Sequence, residues 1–302
     1  MTISSREYAA LSEDSYRDRQ PNPNATVKID GVDYRILANS DQPSGYQGTI
    51  YQRTDTREII VAHRGTEPGR ELMRDAIRTD GGMVVNGVNN QTQDAINLTQ
   101  RAVDLARAEG ERSGHAPPVT VTGHSLGGTL AQITAHRFDL HGETFNAYGA
   151  AGLRQGVPTG GDNIVNHVRA TDVVSAGSPH YGQVRVYATP EDISALRDAG
   201  YANNRNTSML PFIGDPRNPL EVAWDRGGPA HAIGAFVRAE GGGPVMDPAN
   251  ARRAQEFDPM IDKFRDDVGH IRQGITDTSL GAQDGVRRLR QGWDDLFSQR
   301  TD

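Results

Sequence analysis

The chain has 302 residues, no cysteine and a formal net charge of −7 at pH 7. The acidic balance disfavours a nucleic-acid partner, because such proteins present a basic face to phosphate, and the lack of cysteine excludes disulfides and thiolate metal sites. The N-terminal segment lacks the basic and apolar regions of a signal peptide, and no apolar run reaches the roughly 18 residues of a membrane-spanning helix, so any export is expected to use a route without such a signal.

The first predicted elements are a short helix and two pairs of strands. Residues 4–16 have apolar side chains near one side, which predicts the helix. Alternating apolar and polar residues predict strands, and an Asp-Gly pair between two such runs predicts a hairpin. The predicted strands cover 25–29, 32–38, 48–53 and 58–65, with Asp30-Gly31 as the first turn. Ile59–Ala62 is continuously apolar, which is typical of a central strand covered on both faces.

The middle of the chain alternates predicted helices and strands. Residues 67–91 are glycine-rich and predicted to be irregular, apart from an amphipathic turn at Leu72–Ile77, and a helix is predicted from Asp94 to Ala108. The elements that follow are a strand over 117–125, a helix over 129–140, and strands within 143–152, 163–172 and 183–188. Strands that alternate with helices indicate βα units around a mostly parallel sheet, which is the α/β class.

The last third of the chain divides at a glycine-rich segment. Residues 189–230 have no clean period, and 241–244 read GGGP, so we expect one α/β domain over 1–240 and a helical extension over 245–302. Asp258-Pro259 resembles an N-cap followed by proline. Apolar residues follow at helical spacing, in two stripes: Phe257, Met260, Ile261, Phe264, Val268, Ile271 and Ile275, then Val286, Leu289, Trp293 and Leu296. Mixed charges disfavour a helix lying on an anionic membrane, so we expect the extension to pack on the core.

The sequence G-H-S-L-G at 123–127 carries the predicted chemistry. It follows a β-branched strand and precedes a helix, the context in which a serine nucleophile stands on a sharp strand-to-helix turn. Gly123 and Gly127 are expected because side chains there would collide, and His124 is expected to shape the turn. Ser125 is therefore the predicted nucleophile, and the N–H of Leu126 is predicted to face the developing oxyanion.

A serine nucleophile needs a base, and the base needs an orienting acid, in the chain order Ser, Asp or Glu, His. We expect His231 as the base, carried by a loop, because it begins an apolar segment after the last predicted strand; His180 is the alternative. The remaining histidines after Ser125 are His136, His141, His167 and His270. They fall on predicted helices or strands, or, for His141, just after the helix that follows the nucleophile. We expect Asp172 as the acid, because it directly follows a predicted strand, where such sites assemble; Asp162 and Asp192 are alternatives.

The second oxyanion donor is expected just after the strand Ile59–Ala62. There the sequence reads His63-Arg64-Gly65-Thr66, and Thr66 offers an N–H and a hydroxyl. We interpret His63 as a packing residue rather than a base. Metal sites are not expected, because the aspartates within Asp262–Asp267 lie in a helical pattern and lack the spacing of a calcium loop.

Several of these segments resemble the class 3 lipases. AHRGT, GHSLGG, FNAYGAAG, NHVRATDVVSAGSPHYGQV and PAHAIGAF occur in that order within 25–237. The resemblance implies an α/β-hydrolase fold with a central, mostly parallel sheet. With the hairpins predicted above, we expect antiparallel strands on its N-terminal side, and the apolar stripes beyond residue 245 add a helical C-terminal extension to it. It maps the oxyanion residue to Thr66, the acid to Asp172, the base to His231 and a lid to about Glu67–Asn90. LMRDAI stands where fungal relatives have a Trp-containing helix.

The N-terminal YAALSEDSYRD and the polar character resemble lipase-like toxins that bacteria inject into rivals, among them type IV secretion effectors that cleave phospholipids. This resemblance implies a cognate immunity protein and delivery into the periplasm of a target cell; without delivery the chain would remain cytoplasmic.

The expected activity is hydrolysis of a glycerophospholipid acyl ester, with a neutral glyceride as second choice and no cofactor. Two alternatives remain: a soluble carboxylesterase or thioesterase, and a non-catalytic interaction protein on the same fold. The Ser, Asp, His order argues against the second alternative.

Overall fold

A computed structural model describes residues 3–22, 24–65, 81–205, 217–238 and 244–271. One eight-stranded sheet has its strands side by side in sequence order. The strands are β1 Val27–Ile29, β2 Val32–Asp41, β3 Gln47–Arg53, β4 Ile59–His63, β5 Val119–His124, β6 His141–Phe145, β7 Gly160–Arg169 and β8 Tyr181–Tyr187. The helices are α1 Ser5–Asp14, α2 Gly81–Ser113, α3 Leu126–Phe138, α4 Val173–Ala176, α5 Pro190–Asp198, α6 Pro219–His231, α7 Gly234–Val237, α8 Pro248–Glu256 and α9 258–271.

The sheet changes from antiparallel to parallel at β4. β1 to β4 pair antiparallel through short turns, and β4 to β8 pair parallel through longer connections. Asp30 and Gly31 both have positive φ, 44° and 85°, which a two-residue hairpin of type I′ requires. The predicted fold class is confirmed: this is an α/β-hydrolase fold with antiparallel strands at its N-terminal side.

Two apolar layers cover the sheet. Ile59 and Val61 of β4 belong to the layer formed with α2 and α3, whereas Ile60 and Ala62 belong to the layer formed with α1 and α7. All four side chains are fully buried. The interpretation of Ile59–Ala62 as a central strand covered on both faces is therefore confirmed, and the catalytic candidates lie at the carboxyl edge of its parallel neighbours.

The structure corrects the sequence prediction for the middle helix. α2 begins at Gly81, not Asp94, so residues 81–90 of the expected lid lie in this helix. Val88 is fully buried in the same core as Ala95 and Leu98. The packing of these apolar side chains in the core outweighs the low helix propensity of the glycine-rich residues at the start of α2. The turn expected at Leu72–Ile77 lies outside the described residues.

The region 189–230, predicted without regular structure, contains α5 and α6. His231 is the last residue of α6 and is not carried by a loop, so that part of the prediction is wrong. Gly227, Gly228 and Pro229 conceal the helical period, and Pro229 lies inside the last turn.

The described part of the C-terminal extension packs beside α4 and α5. Met260, Ile261 and Phe264 are buried in one cluster with Val173 and Leu196. The helix predicted from Asp258-Pro259 is α9, with Asp258 as its first residue and not its N-cap. A further helix that was not predicted, α8, begins at Pro248 after the N-cap Asp247, whose carboxylate accepts from the N–H of Ala249 at 2.7 Å. Ile275 and the second apolar stripe lie outside the described residues. Among the helices described, none is long and apolar enough to cross a membrane.

Candidate active site

Ser125 occupies a strained turn between β5 and α3. Its backbone has φ 57° and ψ −128°, an arrangement that side-chain-bearing residues rarely adopt. The turn is fixed by its own amides: Ser125 N–H donates to the carbonyl of Phe145 at 3.1 Å, and the carbonyl of Ser125 accepts from Gly128 at 3.1 Å. The hydroxyl therefore stands clear of the sheet at the start of a helix, as a nucleophile requires.

The glycines around Ser125 allow this turn to form. A Cβ added to Gly123 would collide with the backbone of Gly127, and one added to Gly127 would collide with the carbonyl of His63. The sequence prediction that both positions need glycine thus agrees with the close approach of β4, β5 and α3.

Ser125, His231 and Asp172 form one hydrogen-bonded chain. The Ser125 hydroxyl lies 2.8 Å from Nε2 of His231, and Nδ1 of His231 lies 2.9 Å from Oδ1 of Asp172. Asp172 and His231 are buried, while Ser125 is partly exposed. A base between a hydroxyl and a buried carboxylate can accept the hydroxyl proton and be stabilised when charged.

Asp172 is held as a carboxylate. It is the N-cap of α4, and its Oδ2 accepts from the N–H of Ser175 at 2.9 Å. Burial favours the neutral acid, but the charge and hydrogen bond of His231, together with the bonds from Ser175, outweigh burial and lower the pKa of Asp172 below its ordinary value. The acid at the end of β7 is therefore ionised and aimed at the imidazole.

Three side chains from three strand ends hold the backbone that carries His231. Arg169 donates to the carbonyl of Pro229 at 3.3 Å, and Asn146 donates to those of Ala230 at 2.8 Å and His231 at 3.2 Å. His124 donates to the carbonyl of His231 at 2.7 Å. The three donors stand at or just after the ends of β7, β6 and β5. We call residues 229–231 with these three donors the carbonyl clamp.

His124 enters the clamp in one tautomer. Because a carbonyl can only accept, Nε2 of His124 carries the proton, and Nδ1 accepts from the Tyr16 hydroxyl at 2.8 Å. Burial, and then the neighbouring charge of His231, lower the pKa of His124 to about 3. The predicted role of His124 in shaping the turn thus extends to the backbone of His231.

The alternative candidates have other partners. His180 donates from Nε2 to the carbonyl of Ser175 at 2.9 Å, and Asp192 binds Arg169 at 2.9 Å. Asp162 is exposed in β7. His63 is buried between Tyr46 and Thr134, which agrees with its interpretation as a packing residue.

The sequence analysis missed Asn146, Arg169 and Tyr16. Asn146 directly follows β6, so the rule that selected Asp172 at a strand end could have selected it too. Leu126 begins α3, where the first N–H groups have no partner within the helix, while Thr66 lies outside the described residues. Among the residues described, no group of three or more His, Asp or Glu side chains could hold a metal ion.

Comparison with known proteins adds a family and a group of lipase structures. The family model of the Tle-like phospholipase domain matches residues 7–208, which is more than half of the chain. His231 lies beyond the matched segment. No curated protein matches the sequence.

Similar solved structures are lipases from fungi. They include Lip2 lipase from Yarrowia lipolytica, with 16% identity over 61% of this chain and 78% of that chain and a TM-score of 0.40. A triacylglycerol lipase from Penicillium expansum has 17% identity over 60% and 77%, also with a TM-score of 0.40. The Rhizomucor miehei lipase in its propeptide complex has 16% identity over 61% and 70%, with a TM-score of 0.41.

Proposed function

The chain belongs to the Tle-like phospholipase domain family and is an ester hydrolase of the lipase and phospholipase type, and we propose that it hydrolyses acyl esters of glycerophospholipids through Ser125, His231 and Asp172. The observation that carries this proposal is the unbroken chain of hydrogen bonds from the Ser125 hydroxyl to the Asp172 carboxylate. The family description supports the substrate class.

The reaction is acyl transfer through a serine ester. Nε2 of His231 takes the proton of Ser125 as its oxygen attacks the ester carbonyl, and Asp172 stabilises the imidazolium. The N–H of Leu126 binds the oxyanion, and the sequence resemblance assigns a second donor to Thr66; His231 then protonates the leaving alcohol. Water attacks the acyl-serine ester in the same way, which releases the fatty acid and regenerates the hydroxyl. No cofactor enters these steps.

The test is fatty-acid release from phosphatidylcholine and phosphatidylethanolamine vesicles. We expect release by the wild type and a loss of at least about a thousandfold in Ser125→Ala, since the nucleophile is removed. Ser113→Ala, the same change at an exposed helix end, is the control and should keep full activity. A fluorophosphonate probe should label the wild type and the control, but not Ser125→Ala.

Each failure has a distinct meaning. Activity on short soluble esters without release from vesicles would contradict the phospholipid substrate and favour a soluble esterase. Absence of both activities and of labelling would contradict the catalytic proposal and favour a non-catalytic interaction protein.

We further propose that the enzyme is an antibacterial effector, delivered to the periplasm of a target cell and blocked in the producer by an immunity protein. Support comes from the resemblance of YAALSEDSYRD to injected lipase-like toxins. Expression directed to the periplasm of a bacterial host should stop growth for the wild type and not for Ser125→Ala. Equal growth of both strains, with equal periplasmic protein, would contradict this role.

A further inference from the structure

The C-terminal extension reaches the catalytic acid through one arginine. Arg265 lies on α9, beyond the segment matched by the family model, and donates to the carbonyl of Ser175 at 2.9 Å and to its hydroxyl at 3.3 Å. Ser175 is the residue whose N–H binds the carboxylate of Asp172. Its hydroxyl also donates to the carbonyl of Asp172 at 3.2 Å.

We propose that Arg265 is a positioning residue for the hydrolysis reaction, which holds Ser175 and thereby the carboxylate of Asp172 in the orientation that His231 requires. The inference rests on the proposed catalytic role of Ser125, His231 and Asp172. In this proposal α9 contributes to the activity of the site, in addition to packing on the core.

The charge of Arg265 acts on Asp172. Across the part of the chain that the structure describes, no carboxylate forms a direct ion pair with Arg265. Burial lowers the pKa of Arg265, and among the carboxylates that oppose this change Asp172 has the largest effect, ahead of Asp262 and Asp266 on its own helix. The guanidinium thus lies close enough to Asp172 for the two charges to attract each other.

Packing fixes Arg265 in this position. Phe264, the preceding residue, is fully buried, and Ile261 is buried one turn earlier, in a cluster that also contains Val173 of α4. His180 donates to the same Ser175 carbonyl at 2.9 Å, so this carbonyl accepts two bonds from separate elements. α4 is only four residues long and depends on such contacts, because so short a helix has few internal hydrogen bonds.

The test measures kcat and KM separately on a short soluble ester for Arg265→Gln, Arg265→Lys and the control Arg252→Gln, an exposed residue of α8. We expect Arg265→Gln to lower kcat about 10- to 100-fold with KM changed less than about twofold, because the acid is displaced while the ester contacts are unchanged. Arg265→Lys keeps the charge without the fork of N–H donors and should lie between wild type and Arg265→Gln. The control should match the wild type.

An unchanged kcat in a folded Arg265→Gln variant would overturn the proposal. A kcat that falls only in proportion to the folded fraction, measured by circular dichroism at the assay temperature, would also overturn it. If Arg265→Gln does not fold, Arg265→Lys decides: it keeps the charge but loses the two-pronged contact with the Ser175 carbonyl and hydroxyl, and a wild-type kcat in that variant would overturn the proposal. Inactivity of the wild type on every ester would instead contradict the proposed function itself.

Discussion

At the scale of single residues, the orientation of His231 depends on donors far away in the chain. Asn146 reaches two carbonyls of the clamp, and its own Oδ1 accepts from the N–H of Arg169 at 2.9 Å. Asn146→Asp replaces the donating amide with an oxygen that repels both carbonyls. We expect kcat on a soluble ester to fall about 10- to 100-fold, because a small displacement of the base costs that much.

The matched control for Asn146→Asp is Asn203→Asp. The Asn203 amide also donates to a backbone carbonyl, that of Glu256 at 3.1 Å, but at the surface. Its variant should keep wild-type kcat. A wild-type kcat in Asn146→Asp would show that the clamp does not position the base.

The site residues differ in how well the sequence predicts them. Ser125 lies in a motif whose spacing reflects local sterics, so the five residues together with the strand before them and the helix after them suffice to find it. Asp172 can be predicted as the acid because it directly follows a predicted strand. The carbonyl clamp joins Asn146 to residues 84 and 85 positions away. No local pattern shows which distant carbonyl an amide faces, so this part could not be predicted.

At the scale of elements, α1 supports the nucleophile strand. Ser12 of α1 lies 2.8 Å from the hydroxyl of Thr122 in β5, and Tyr16 just beyond the helix contacts His124. The helix begins with a capping box, in which the Ser4 hydroxyl accepts from the N–H of Glu7 and the Glu7 carboxylate accepts from the N–H of Ser4.

Ser4→Ala should lower the free energy of unfolding by about 1 kcal/mol, since one N–H at the helix start loses its partner. Urea unfolding at pH 7 measures this change, and Ser5→Ala, the same substitution one residue later, should cost less. Equal midpoints for both variants would argue that the capping box contributes nothing to stability.

Elements were predictable where local period and burial agree, as in α1, the Asp30-Gly31 hairpin and β4. α2, α6 and α8 were misplaced or missed because glycines and prolines conceal a helix that tertiary packing stabilises. Asp247-Pro248 and Asp258-Pro259 carry the same capping signal, and a helix begins at each: Asp247 is the N-cap of α8, and Asp258 is the first residue of α9. Such a signal therefore locates a helix start to within one residue.

At the scale of the whole molecule, burial depresses the pKa of three histidines in the part of the chain that the structure describes. Burial lowers the pKa of His63 and of His124 to about 3 and that of His180 to about 4, with the charges of His231 and Arg265 adding to the effect at the last two. An unfolded chain would protonate these groups near the ordinary value of 6.5. Between these pKa values the unfolded state binds more protons than the folded state.

The folded protein should therefore lose stability as the pH falls from about 6.5 towards 4. Each histidine with a depressed pKa contributes its full stabilisation above pH 6.5. Below that pH, the free energy of unfolding falls by about 1.4 kcal/mol per pH unit for each of them. Asp172 adds a loss only at lower pH, since its pKa is depressed below an ordinary value of 3.8. Urea unfolding at pH 7, 6 and 5 measures how the free energy of unfolding changes with pH. The slope should correspond to an uptake of up to about three protons on unfolding.

His63→Gln separates the contribution of one buried histidine from the rest. Glutamine keeps a donor and an acceptor between Tyr46 and Thr134 but cannot be protonated. The dependence of unfolding free energy on pH should fall by about one third in this variant, whereas His115→Gln, at an exposed position, should leave it unchanged. A wild-type stability that is flat between pH 7 and 5 would mean that the buried histidines bind protons in the folded state as readily as in the unfolded chain, and would contradict the lowering of their pKa by burial.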